Sequence, residues 1–86
     1  MWDGRKADPN ARKHGVTFDE AATVFADPLA VIVGDEGHPE NARLIGESIA
    51  SRVLLVVFVE SARDALRIVS ARRATRNERR RYEEGE

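Results

Sequence analysis

One stretch constrains this chain more than any other: Val53 to Val59 is seven apolar residues without a break. The run is too short and too rich in β-branched valine for a typical helix. As a strand it sends alternate side chains to opposite faces, so both faces need cover. It therefore predicts a central strand with packed material above and below. A chain of 86 residues has few elements to draw on for that cover. The expectation is a single domain over residues 1–86 with a compact core.

The flanking residues supply the elements. Asp3 can cap a helix running toward Lys13, with Pro9 interrupting its interior; alternatively Asp8 caps a restarted helix with Pro9 at its first position. Trp2 reads as an apolar anchor for this segment. Gly15, directly after His14, is a natural stop. Thr17 and Glu20 have capping-box spacing, and Phe18, Ala21, Ala22 and Phe25 follow at helical intervals. Asp27-Pro28 ends this second helix. Leu29 to Val33 reads as a short strand closed by a loop from Gly34 to Pro39. Arg43 to Ile49, with Gly46 inside, reads as a second strand, and Leu66 to Arg72 as the last. In an ideal last strand Leu66 and Ile68 share one face, while Arg67, Val69 and Ala71 share the other. Thr75 and Glu78 form another capping box, opening a charged helix that frays at Glu83 to Glu86. Two N-terminal helices, three to four strands in a mainly antiparallel sheet and one C-terminal helix make an α+β fold.

Charge is unevenly placed. Residues 1–60 carry six basic and ten acidic side chains, a balance of −4, whereas residues 61–86 carry eight arginines against five acids, a balance of +3. Arg67, Arg72, Arg73, Arg76, Arg79, Arg80 and Arg81 crowd this half, and it contains no lysine. Arginine's planar, permanently charged fork suits phosphate and carboxylate alike. Some of the cluster has a plainer reading, because Arg79–Glu83 and Arg80–Glu84 have the spacing of solvated helical ion pairs. No apolar run approaches the roughly 20 residues of a membrane helix. The absence of cysteine excludes disulfides and thiolate metal sites, and fits a cytoplasmic protein.

Along nearly its whole length the chain resembles the BrnT toxins. The matching pieces begin with Trp2-Asp3, Lys6, Asn10 and Lys13-His14-Gly15-Val16, followed by Phe18, Glu20 and Ala21. Val24-Phe25, Asp27-Pro28, Ile45-Gly46, Arg52 and the strand Leu54 to Val57 come next. The most specific block is Arg67-Ile68-Val69-Ser70-Ala71-Arg72-Arg73-Ala74-Thr75, continued by Glu78-Arg79 and Tyr82. Pro9 and the segment Glu40 to Ile45 depart from the family pattern, and the net charge of −1 is more acidic than in many toxins of this kind. The resemblance implies a RelE-like fold and a toxin of a type II toxin–antitoxin system that cleaves RNA and inhibits translation. It further implies a cognate antitoxin with a ribbon-helix-helix DNA-binding segment, joined to the toxin in a hetero-oligomer that represses its own operon. Operator DNA would be met only through that antitoxin, since this chain has no DNA-binding motif of its own.

RNA can be cleaved without a metal when its own 2′-hydroxyl attacks the neighbouring phosphate. The enzyme then assists proton removal, stabilises charge on the phosphorane and protonates the leaving 5′-oxygen. No carboxylate or histidine cluster has metal-ligand spacing, so no cofactor is expected. Arg67 and Arg72 on the last strand are natural phosphate holders, although an ideal strand points them to opposite faces unless a bulge intervenes. Ion pairs with Glu60 or Asp64 are their structural alternative. Lys6, Lys13, Arg43, Arg73 and Arg76 are further candidates for phosphate contact. His14 is the leading proton-transfer candidate because imidazole titrates near neutrality, though a histidine before glycine also suits a helix end. His38 reads as solvent-facing. Tyr82 could stack on a base, transfer a proton or dock its helix. Glu20 reads only as a capping partner. A protein that binds antitoxin or nucleic acid without cutting, or acts as a co-repressor, is the other reading of the same surface.

Overall fold

The computed structural model describes residues 4–34, 41–60 and 66–85, with the side chains of residues 4–7 excepted. Trp2, Asp3, His38, Glu40, Asp64 and the Lys6 side chain therefore lie outside the described residues. Helix α1 (Gly4–His14) and helix α2 (Phe18–Thr23) come first, and a 3-10 turn, Val24–Ala26, continues α2. Strands β1 (Val31–Gly34), β2 (Asn41–Glu47), β3 (Val53–Glu60) and β4 (Leu66–Arg73) follow, and helix α3 (Arg76–Glu84) is last. The strands form one antiparallel sheet in the order β1-β2-β3-β4. This is the expected α+β arrangement, with four strands. Among the described residues no helix is long and apolar enough to cross a membrane.

The unbroken apolar run forms an internal strand, β3, that is buried on one face and only partly covered on the other, where Leu55 is buried and Val53, Val57 and Val59 are half-buried. Leu54, Val56 and Phe58 face the N-terminal helices and pack with Val16, Phe18, Ala21, Val24, Leu44, Ile68 and Ala71. Phe25 meets Phe58 edge to face, with ring centroids 5.1 Å apart. Leu55 points the other way, into a smaller cluster with Val33 and Ile45, roofed by Ala74 and Tyr82. Each buried side chain of this kind contributes about 1.5–3 kcal/mol, so most of the driving force lies on the helix-bearing side.

Three local features shape this frame. Helix α1 runs through Pro9 without interruption, contrary to the expected break. Pro9 is exposed, so its missing N–H costs one helical bond while its ring meets water. One residue on, buried Asn10 fastens the helix to the sheet. Its amide nitrogen donates to the carbonyls of Val16 (2.9 Å) and Ala71 (2.8 Å), and its oxygen accepts from the Ala71 N–H (3.0 Å). The outer edge of β4 is thereby capped at Ala71. Gly15 ends α1 as expected, with φ of 70° and its N–H donating to Ala11. Gly46 lets the 3-10 turn lie against β2, since a Cβ there would sit 2.8 Å from the Val24 side chain and 2.9 Å from that of Ala30.

The third feature is a bulge in β4. Val57 pairs with Ser70, but the next residue, Phe58, pairs with Ile68, so Val69 is the extra residue. The ideal alternation expected for this strand fails at that point. Ala71 joins Ile68 in the helix-side core instead of sharing a face with Arg67.

Candidate active site

The bulge decides which charges share a surface. Arg67 stands opposite Val59 and Arg72 opposite Leu55, so both lie on the face of the sheet away from α1 and α2. Arg43 on β2 stands opposite Val57, on the same face and between them. Four residues of β3 separate the two β4 registers, or roughly 13 Å along the strand. The three arginines mark the corners of a triangle floored by valines of β3, and α3 closes one side of it through Ala74 and Tyr82.

The three side chains are held differently. Arg67 is exposed and pairs with no carboxylate among the described residues. Glu60, its expected alternative partner, pairs in register with Leu66 and so belongs to the opposite face. Arg43 donates from Nη2 to the Gly34 carbonyl at 3.0 Å. Its Nε is buried with no hydrogen-bond partner among the described residues, a cost of about 1–3 kcal/mol that a swing toward an anion relieves. Arg72 is gripped end-on by Glu78, Nη1 to Oε1 and Nη2 to Oε2, each at 2.9 Å, and Nη1 also donates to the Arg73 carbonyl at 3.1 Å. Glu78 closes the expected capping box as well, accepting from the Thr75 N–H at 2.9 Å while its own N–H donates to the Thr75 hydroxyl. Burial pushes the Glu78 carboxyl up, but the Arg72 and Thr75 hydrogen bonds outweigh it and hold the group below its usual range.

Tyr82 docks α3. Its hydroxyl donates to Asp27 at 2.7 Å, and its ring packs beside Val33, Ile45 and Leu55. The hydrogen bond to Asp27, with burial, pushes the phenol up to about 12. Asp27 also accepts from the backbone N–H groups of Glu47 (2.8 Å) and Leu29 (2.9 Å), so its carboxyl sits below its usual value despite burial.

The remaining candidates lie elsewhere. Arg73 stands opposite Leu54 and therefore on the helix side, at the end of the sheet. There it lines a concavity of about 350 Å³ with Glu47, Arg52, Arg79 and Glu83. Arg76, Arg79, Arg80 and Arg81 are exposed on α3. Among the described residues the ion pairs are Arg52–Glu20 and Arg72–Glu78, so the expected pairs of Arg79 and Arg80 with Glu83 and Glu84 are not formed. Lys13 is exposed and His14 half-buried at the end of α1, where Arg52 donates to the Gly15 carbonyl at 3.1 Å. That end is not brought onto the triangle face by any described hydrogen bond. Lys6 falls within α1. Among the described residues no group of three or more His, Cys, Asp or Glu side chains could hold a metal ion.

Two pairings were missed in the sequence. Glu20 does not reciprocate the Thr17 cap; its carboxylate takes Arg52 through Nε (2.9 Å) and Nη2, and the Ser48 hydroxyl at 2.6 Å. The Arg52 hydrogen bonds hold Glu20 below its usual range against the effect of burial. Capping-box spacing concealed this role, and no local signal ties residue 20 to residue 52. The Arg72–Glu78 grip was hidden for the opposite reason, since Glu78 already had a role as cap.

Comparison with known proteins gives the family and the fold. A family described as "Ribonuclease toxin, BrnT, of type II toxin-antitoxin system" matches residues 2–78. The crystal structure of the Brucella abortus ribonuclease toxin, BrnT, superposes with a TM-score of 0.71 at 24% sequence identity, covering 88% of this chain and 95% of that one. At that identity the likeness establishes the fold. No curated protein sequence matches the chain.

Proposed function

Because the chain belongs to the BrnT family of ribonuclease toxins of type II toxin–antitoxin systems, we propose that the arginine face of its sheet is where RNA is held and cut. The observation that carries this reading is the Val69 bulge, which puts Arg67 and Arg72 on one face with Arg43. Three guanidinium groups on a rigid sheet suit an extended polyanion, and a phosphorane gains a second negative charge as it forms.

The reaction of this reading is an internal transesterification. The 2′-oxygen loses its proton and bonds to the adjacent phosphorus, and the bond from phosphorus to the 5′-oxygen breaks. A 2′,3′-cyclic phosphate and a protonated 5′-hydroxyl result, with no metal taking part. Arg72 and Arg67 hold the phosphate, Arg43 joins them by releasing Gly34, and Arg76 at the start of α3 extends the contact to a flanking phosphate, whereas Lys6, Lys13 and Arg73 belong to the helix side of the sheet and meet only RNA that passes around its edge. His14, the proton-transfer candidate of the sequence, ends α1 on the opposite side of the sheet, so in this reading the protons are exchanged with solvent at the arginine face. Tyr82 is assigned to docking α3, on the strength of its bond to Asp27.

A toxin of this class has a cognate antitoxin. In this reading the antitoxin carries a ribbon-helix-helix segment, forms a hetero-oligomer with the toxin in the cytoplasm and makes the contacts with operator DNA. Induced expression of the chain without a partner, following growth and total RNA, tests the enzymatic claim. Arrest with RNA loss is expected, reduced in Arg67→Ala and reduced further, to a small residual rate, in Arg72→Ala. Normal growth and intact RNA from soluble, folded wild-type protein would leave a binding protein only.

A further inference from the structure

We propose that Glu78 is a positioning residue for RNA cleavage: its grip on the Nη1 and Nη2 ends of Arg72 presents the guanidinium's remaining edge to a phosphate on the strand face. The inference rests on the assignment of that face to RNA. A guanidinium has five N–H donors in a fixed plane. Glu78 takes one from each terminal nitrogen, and the Arg73 carbonyl takes the second from Nη1. Nε and the second hydrogen of Nη2 are left. They point the same way, form the side-on edge of the fork and have no partner among the described residues. A free arginine at this position would sample many rotamers. The bidentate clamp removes that freedom before substrate arrives, so less entropy is lost when the phosphate binds.

Glu78 is itself fixed. It is the third residue of α3, its Oε1 accepts from the Thr75 N–H, and its side chain is only 17% exposed beside an Arg72 that is 34% exposed. The Thr75 backbone N–H therefore aims the carboxylate, and the carboxylate aims the arginine. Charge neutralisation alone would weaken phosphate binding. The grip instead sacrifices some attraction for geometry, so its effect belongs in turnover more than in affinity.

Two substitutions separate the positioning role from the cap. Glu78→Gln keeps an acceptor for the Thr75 N–H, because Gln serves in capping boxes, but it sets an amide group against Arg72. Thr75→Ala removes the cap hydroxyl and leaves the Arg72–Glu78 pair. RNA cleavage by purified protein is then measured as kcat and KM, beside thermal unfolding. We expect Glu78→Gln to lower kcat by up to about a hundredfold with KM little changed. Thr75→Ala is expected to lower stability by about 1 kcal/mol while keeping the kcat of the folded protein. In an Arg72→Ala background, Glu78→Gln should cost nothing further, since the two act as one unit. Equal losses from Glu78→Gln in both backgrounds, or a wild-type kcat in Glu78→Gln, would overturn the positioning role. Full activity of Arg72→Ala would overturn the phosphate role of Arg72 first and this proposal with it.

Discussion

Replacing Asn10 with alanine removes the carboxamide that ties α1 to the edge of β4. Three hydrogen bonds are lost, to the Val16 carbonyl and to both backbone groups of Ala71. Each is worth about 1 kcal/mol net, and the groups left behind are buried polar atoms whose desolvation adds to the cost where water cannot reach them. The sum is roughly 3 kcal/mol, or about 15 °C in Tm for a chain of this size. Asn10→Asp should be worse at neutral pH. One carboxylate oxygen can still accept from the Ala71 N–H, but the other faces two carbonyl oxygens that previously received donors. Urea unfolding followed by circular dichroism gives the comparison, with the midpoint reporting stability and the slope testing whether α1 still unfolds with the sheet. A loss below about 1 kcal/mol in Asn10→Ala would refute the reasoning, because it would mean that the capped edge contributes no more than a surface contact.

Other perturbations probe separate parts of the frame. Gly46→Ala places a methyl group where Val24 and Ala30 already stand within 3 Å, and should cost about 1–3 kcal/mol in urea unfolding; unchanged stability would mean that the 3-10 turn moves away freely. Tyr82→Phe tests the Asp27 link at alkaline pH. The folded phenol titrates at about 12, above its ordinary 10.0, so its contribution is complete below pH 10 and is lost as pH rises toward 12. Subtracting the Phe variant's stability profile should reveal that limb, and superimposable profiles would contradict it. At the acid end Glu20, Asp27 and Glu78 are all held below their ordinary values, so the stability they supply is present above those values and falls as pH drops through the folded ones. Arg52→Gln should flatten that acid limb by releasing Glu20, and an unchanged limb would show that the pair contributes nothing.

Much of the fold was legible because several signals were both local and unopposed. Val53 to Val59 announced a central strand, and β3 is that strand, although its second face is closed only at Leu55 and leaves Val57 and Val59 half-buried. Thr75 and Glu78 announced the start of α3, and Gly15 the end of α1. The failures share a physical pattern, in which a distant contact overrode a local preference. Pro9 disfavours a helix interior, yet Asn10, anchored to residue 71, holds the helix through it. Glu20 has capping spacing, yet an arginine thirty-two positions away takes its carboxylate. For the site, residue type was legible and placement was not. Arginines on the last strand pointed to phosphate, but their common face depends on a bulge at Val69 that no glycine marks. The partner of Arg72 lay beyond a turn, on a residue whose capping role was already accounted for.

The most direct test of the arginine-face account is the chemistry of the ends it leaves. Purified protein, freed of antitoxin, is incubated in a chelator with a short RNA and with the same RNA carrying a single 2′-deoxy nucleotide at the cut position, and the products are read by mass spectrometry. The account predicts a 2′,3′-cyclic phosphate and a 5′-hydroxyl from the first, no cleavage at the substituted position in the second, and a much lower yield of the same two ends in Arg72→Ala. A 3′-hydroxyl with a 5′-phosphate, or cleavage that tolerates the missing 2′-hydroxyl, would contradict it.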